Sequence, residues 1–262
     1  MTIHPSAIVH PDAELAEDVE IQAFTIIGPH VQIGAGTVVG PHCVIEGRSV
    51  IGKNNRFSSG AQIGILCQDL KHKAGLVGRA VIGDNNVFRE HMTVSASTMS
   101  SPADDHRTTS IGSGCLFMAY SHVAHDCHIG NSVIIANCSA LAGHVVVEDK
   151  AQLSGLVAVH QECVIGTLCY VGGSSRLTKD APPYMIIEGN PARCCGPNTV
   201  GLRRNNVDAA ARARIKTMYK IMFRSDLNST QALEEIEATV EDSDERTHFV
   251  EFFRKSIRGV TK

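Results

Sequence analysis

Apolar residues recur along this chain at every sixth position. Counting from Ile3, the steps land on Val9, Leu15, Ile21, Ile27, Ile33, Val39, Ile45, Ile51, Phe57 and Ile63. The count resumes at Ile82, Phe88 and Val94. It resumes again at Ile111 and runs through Phe117, Val123, Ile129, Ile135, Leu141, Val147, Leu153, Val159, Ile165, Val171 and Leu177. In a chain that is 43% hydrophobic, the last run has a chance probability on the order of 10⁻⁴ to 10⁻⁵, so the period is structural. Glycine often follows the anchor, as at Gly28, Gly34, Gly40, Gly52, Gly112 and Gly130. The fourth residue after the anchor is small or modest, as at Thr25, Thr37, Cys43, Ser49, Ala61, Cys115, Ser121 and Cys127. The pattern predicts a repetitive β architecture.

Two stretches break the count, at about 65–80 and 95–110. Loops ejected from a regular solenoid often line binding surfaces. From about residue 191 the apolar spacing becomes helical, in "VDAAARARIKTMYKIMF", "TQALEEIEATV" and "THFVEFFRKSI". The expected organisation is a repeat domain over 1–190 and a small α-helical domain over 191–262.

Composition narrows the classes. The chain has no tryptophan and is only 5% aromatic, so its core must be thin and aliphatic. A net charge of −3 gives no global reason to expect nucleic acid. No run of about 18 apolar residues occurs, so no integral membrane segment is expected. The first residues lack the basic start and apolar core of a signal peptide, which makes a cytoplasmic location the expectation. The nine cysteines then read as reduced thiols. No Cys-x-x-Cys occurs, and Cys43, Cys115, Cys127, Cys163 and Cys169 occupy the small position of the repeat, which favours packing over metal binding.

Aliphatic-Gly-x-x-small-x repeats resemble the hexapeptide repeat of left-handed parallel β-helices. The resemblance implies three hexads to a triangular coil, and a hand opposite to ordinary parallel crossovers. About 26 hexads then make about nine coils, or about 40 Å of prism at ~4.8 Å per strand. It also implies that residue i stacks on residue i+18.

That stacking sorts the histidines of "SHVAHDCHIG", residues 121–130. By spacing alone His122, His125 and His128 could be a metal site, a base with helpers or an ordinary polar face. Val123 is an anchor, so His125 and Asp126 fall near a corner, with His125 beneath Gly143 and Asp126 beneath His144. Gln161 lies above Gly143, next to His160, while His128 begins another edge. The gathered residues suit general-base chemistry. A histidine with a pKa of about 6.5 can take a hydroxyl proton near neutrality. A carboxylate can fix its tautomer, and a glycine N–H can approach an oxyanion closely. No serine or cysteine is obviously placed as a nucleophile, which favours direct transfer.

"HVAHDC", "LAGHV" and "AVHQ", in this order, together with "QDLK", "DAPPYMIIEGNPA", "GLRR" and "FFRKSIRG", resemble the UDP-N-acetylglucosamine acyltransferase family over essentially the whole chain. The resemblance implies transfer of a 3-hydroxyacyl chain from acyl carrier protein to the 3-hydroxyl of UDP-N-acetylglucosamine, the first step of lipid A synthesis. It implies a homotrimer with sites between neighbouring prisms, and no cofactor beyond the donor's own phosphopantetheine. It makes His125 the base, Asp126 its orienting partner and the Gly143 N–H the oxyanion donor. Asp69, Lys71, His122, His144, His160 and Gln161 are implied as substrate contacts. Asn198 and Arg204 would hold nucleotide or pantetheine, and Gly173 matches the acyl-length position.

The family's Thr-Ile-His-Arg-Gly-Thr is here Thr93-Val94-Ser95-Ala96-Ser97-Thr98. Glu162 replaces a phenylalanine, Val200 a glutamate and Asn205 an arginine. These departures leave room for a different nucleotide-sugar or amine acceptor. The other readings left open by the residues are an acetyl-coenzyme A-dependent acetyltransferase, a metalloenzyme like the γ-type carbonic anhydrases, and a non-catalytic scaffold.

Overall fold

A computed structural model describes residues 1–262. Its strands form three sheets of eleven, nine and eight members, parallel except for the last strand of the eleven, each coil strand pairing with the equivalent strand of the next coil. The first sheet begins with Thr2–Ile3, the second with Ile8–Val9 and the third with Glu14–Leu15. The chain visits them in turn, as a left-handed parallel β-helix does. Every predicted anchor lies in its own strand. From Ile21 onward each anchor is buried, whereas Ile3, Val9 and Leu15 are partly open at the end of the prism.

The corners explain the rest of the repeat. The third residue after the anchor turns the chain in the left-handed region, with φ of 58° at Asp126, 62° at His144 and 63° at Glu162. Asp, Asn and His tolerate this region better than most side chains. The next residue points inward: Thr25, Cys43, Ala61, Cys127, Ser139, Cys163 and Cys169 are completely buried. Small side chains fit because three sheets converge there. Two asparagines take this position at one corner. The Asn86 backbone N–H donates to Asn55 Oδ1 at 2.9 Å and that of Cys115 to Asn86 Oδ1 at 2.8 Å, while the Asn55 and Asn86 amides donate to Gly83 O and Gly112 O. Each buried amide thus supplies corner hydrogen bonds in place of the ladder.

Both ejected loops leave the second sheet. One follows the strand Gln62–Ile65 and returns at Arg79–Ile82; the other follows Thr93–Ser95 and returns at Thr109–Ile111, after a 3₁₀ turn at Pro102–His106. Register places Ile63, Val94 and Val123 directly above one another. The loops therefore emerge from the same corner as His125, one and two coils below it.

The prism ends in a hairpin that straddles residue 190. Met185–Gly189 extends the first sheet in parallel, and Ala192–Pro197 pairs with it antiparallel. Four helices follow: α1 (Thr199–Arg204), α2 (Ala209–Arg224), α3 (Ser229–Thr239) and α4 (Asp244–Lys255). Asn198, Asp208, Asn228 and Ser243 cap them, each side chain accepting from a backbone N–H of the first turn. No helix is long and apolar enough to cross a membrane.

Candidate active site

The corner after the strand His122–Val123 gathers the polar residues. His125 Nδ1 lies 2.8 Å from Asp126 Oδ2. An ionised carboxylate only accepts, so Nδ1 carries the proton and Nε2 keeps its lone pair. The Thr98 N–H, from the second loop, donates to the same Oδ2 at 3.2 Å. The Asp126 N–H donates to Thr109 Oγ1 at 2.8 Å. Oδ1 is buried and makes no hydrogen bond within the chain. Burial pushes the Asp126 carboxyl upward, but the bonds from His125 and Thr98 and the fields of His144 and His125 outweigh it and hold the group below the usual carboxylate range. The carboxylate therefore stays ionised beside the imidazole.

Gly143 lies on the face of that imidazole. A Cβ there would come within 2.4 Å of His125 Cε1 and 2.6 Å of Nε2, so only glycine lets the ring sit against the coil. No acceptor in the chain takes the Gly143 N–H. His144 stacks edge-on against His125, centroids 5.2 Å apart and planes at 89°. His144 Nε2 is 3.9 Å from Asp126 Oδ2. One ligating atom from each of His125, Asp126 and His144 falls within 4.8 Å of the others. Of the two Asp126 oxygens, Oδ2 is engaged by two N–H donors, whereas Oδ1 has no partner.

His122 faces outward on the adjacent strand, its Nδ1 2.7 Å from Thr93 Oγ1. Burial, and secondarily the charge of His125, lower its pKa, so it is neutral at neutral pH. Asp69 reaches the corner from the first loop. Its carboxyl is lowered chiefly by the Lys71 backbone N–H at 2.9 Å, with smaller help from the nearby His125, the Lys71 charge and the Thr98 hydroxyl at 3.3 Å. The Lys71 side chain is exposed. Gln161 occupies the stacking position above Gly143 and is exposed, as is His160, whose Nδ1 lies 3.2 Å from Gln161 O. His128 sits on the third sheet, 2.8 Å from Ser110 Oγ.

Three of the remaining residues lie elsewhere. Gly173 is exposed at the corner between the first and second sheets, where a Cβ would meet nothing nearer than Gly155 O at 3.4 Å. Asn198 is buried at the corner between the third and first sheets, donating to Leu168 O at 2.9 Å while capping α1. Arg204 ends that helix, exposed. His125 turns the corner between the second and third sheets, so one chain does not bring these residues to it.

Sequence reasoning missed Thr93, Thr98 and Thr109. Aligning Val94 with Val123 across the second loop puts Thr93 beneath His122, a signal that was available. Thr98 belongs to the loop and has no place in the repeat.

Fold and site together define a hexapeptide-repeat transferase. The family model for bacterial transferase hexapeptides, six repeats, matches residues 108–143. The model for UDP-N-acetylglucosamine O-acyltransferase, domain 2, matches residues 180–261. The acyl-[acyl-carrier-protein]--UDP-N-acetylglucosamine O-acyltransferase of an Anaeromyxobacter species (strain Fw109-5) is 45% identical over 262 residues, covering all of both chains. That of Pseudomonas entomophila is 45% identical over 265 residues, covering all of this chain and 99% of its own. Among solved structures, the UDP-N-acetylglucosamine acyltransferase of Bacteroides fragilis superposes with a TM-score of 0.94 at 37% identity over the full length of both chains. The Campylobacter jejuni enzyme superposes at 0.90 with 32% identity, covering 99% of each chain. The chain belongs to the UDP-N-acetylglucosamine O-acyltransferase family.

Proposed function

We propose that this protein transfers a 3-hydroxyacyl chain from acyl carrier protein to the 3-hydroxyl of UDP-N-acetylglucosamine, the first step of lipid A biosynthesis. Full-length identity to enzymes named for acyl carrier protein, this sugar nucleotide and O-acyl transfer supports the reaction. The single observation that carries the mechanism is the His125–Asp126 pair against Gly143.

His125 Nε2 removes the sugar hydroxyl proton as the oxygen attacks the thioester carbonyl. The Gly143 N–H donates to the oxyanion that forms. Asp126 holds the imidazolium, which then protonates the departing thiolate of the donor's phosphopantetheine. The C–O bond forms, the C–S bond breaks, and the proton passes from acceptor to thiol through His125. Asp69, Lys71, His122, His144, His160 and Gln161 bind substrate around the corner. No dissociable cofactor and no metal take part.

Gly173, Asn198 and Arg204 serve a site completed by a neighbouring prism. Their positions at other corners of one chain support a homotrimer, in which Gly173 sets acyl length and Asn198 and Arg204 hold the nucleotide or the pantetheine arm. The protein works in the cytoplasm, where acyl carrier protein supplies the donor. The helical domain closes the prism and completes that site.

A second reading keeps the chemistry and changes the acceptor to another nucleotide sugar or to an amine. Ser95 and Ala96 favour it, being buried one coil below His125. Of the other departures, Glu162 turns this same corner two coils above Asp126, its N–H donating to Gly143 O at 3.0 Å, while Val200 and Asn205 lie at the helix α1. Glu162 is 3.9 Å from Arg258, and Val200 and Asn205 are exposed.

Product mass spectrometry with 3-hydroxyacyl carrier proteins of several lengths tests both readings. The expected outcome is an acylated UDP-N-acetylglucosamine, with kcat lowered about 10²- to 10⁴-fold in His125→Ala. Product only with an amino-sugar nucleotide selects the second reading. Full activity in a folded His125→Ala refutes the base assignment.

A further inference from the structure

We propose that Thr98 is a positioning residue for the reaction, tying the Asp126 carboxylate to the first ejected loop so that the two loops together hold the His125–Asp126 pair. The inference rests on the reading of His125 as the base. Thr98 is 1% exposed and bonds in two directions. Its N–H donates to Asp126 Oδ2 at 3.2 Å, and its hydroxyl donates to Asp69 Oδ2 at 3.3 Å. Cys67 Sγ, also from the first loop, is 3.5 Å from that hydroxyl.

The tie continues on both sides of Thr98. The Met99 N–H donates to His72 Nδ1 at 3.1 Å, and the Lys73 N–H to Met99 O at 2.8 Å. At the far end Arg48 clamps both loops, its Nε donating to Val77 O at 3.0 Å and its guanidinium pairing with Asp105.

A carboxylate held by one hydrogen bond is free to swing about its terminal torsion, which is broad. Two donors on Oδ2, the His125 Nδ1–H and the Thr98 N–H, restrain that torsion and hold the carboxylate against His125. The second donor also neutralises part of the negative charge that His125 feels. The titratable or charged groups facing His125 are Asp126 and His122 beside it, His144 above it, and Asp69 and Lys71 in the first loop. Thr98 touches two of these at once. Substrate engagement at Asp69 is thereby transmitted to the dyad through one residue.

The test compares Thr98→Val, which keeps the side-chain shape and deletes the hydroxyl, with Thr98→Ser, which restores it. Thr98→Ala guards against a packing effect of the extra methyl. The expected result is a roughly tenfold loss of kcat in the valine and alanine variants, on the scale of one lost polar contact to a charged group. Every variant keeps the Thr98 N–H on Asp126, so valine and alanine lose only the hydroxyl donor to Asp69 Oδ2. The Asp69 carboxylate, less neutralised, then favours protonation of the nearby His125 and moves the acid limb of the pH–rate profile to higher pH, and serine recovers most of both. Parental kcat and acid limb in folded Thr98→Val and Thr98→Ala overturn the proposal, as does a lowered Tm with an unmoved profile. His125→Ala is run in parallel. Full activity there defeats the base reading, whereas an inactive His125→Ala beside an unchanged Thr98→Val defeats only the role of Thr98.

Discussion

At the scale of single residues, the corner backbone chooses which side chains matter. His122, His125 and His128 are evenly spaced in sequence, yet they occupy an outward strand position, a corner and the next sheet. His125 alone bonds Asp126, because the left-handed turn at Asp126 swings its carboxylate back alongside the preceding residue. Gly143 follows from the same geometry, its missing side chain being the space that the imidazole fills. Gly143→Ala must push the base or shift the coil, since its Cβ would lie 2.4 Å from His125 Cε1. The expected loss of kcat is about 10²- to 10³-fold, comparable to removing an oxyanion donor, with the far-UV circular dichroism unchanged. Steady-state kinetics on the purified variant check this, and a rate within threefold of the parent contradicts the packing argument.

Among elements, the strands are too short to stand alone and gain stability by stacking. Phe57, Phe88 and Phe117 show how, with centroids 4.7 and 5.1 Å apart and rings parallel within 5°. Phe88 is completely buried between the other two. Phe88→Ala should destabilise the prism by about 3–5 kcal/mol, the usual cost of removing a buried ring, read as a lower urea midpoint. A shift below about 1 kcal/mol would mean that the coils close over the gap. The hexad count made the coil strands up to Arg176–Leu177 and their inner faces legible, but not the closing hairpin of Met185–Gly189 and Ala192–Pro197. It also marked where the loops leave, but not that they lock onto one another. That locking depends on single contacts of Thr98, Met99 and Arg48, which no period encodes. The short helix α1 leaves no mark in the sequence either, since six residues show no helical periodicity.

For the molecule as a whole, the last residues return to the prism and fasten the helices to it. Asp180, 1% exposed, accepts from the Val164 N–H at 2.8 Å and the Ser256 hydroxyl at 2.5 Å. Its N–H donates to Gly259 O, its carbonyl accepts from the Thr261 N–H, and Arg258 donates to the neighbouring Thr178 O. Asp180→Ala leaves the Val164 amide and the Ser256 hydroxyl without their acceptor. The expected cost is about 1.5–3 kcal/mol, with faster proteolytic cleavage between residue 255 and the C-terminus. Equal cleavage in variant and parent would show that the backbone contacts hold the tail alone. His248 provides a second fastening, bonding Glu148 and Tyr184, each at 2.9 Å.

In the sequence alone, the six-residue period marks the strands and their buried positions, and its resemblance to the hexapeptide repeat implies the three-sided coil that the structure shows. With that coil, the 18-residue stacking already brings His125, Asp126, Gly143 and His144 together, since stacking is a rule of register. Tertiary structure decided what register cannot express. It seated the two loops on the corner of His125, gave Asp126 its second donor, and placed Gly173, Asn198 and Arg204 at other corners. The physical reason is range. A repeat specifies neighbours one coil apart, whereas loop packing and the assignment of corners depend on where an interrupted chain resumes.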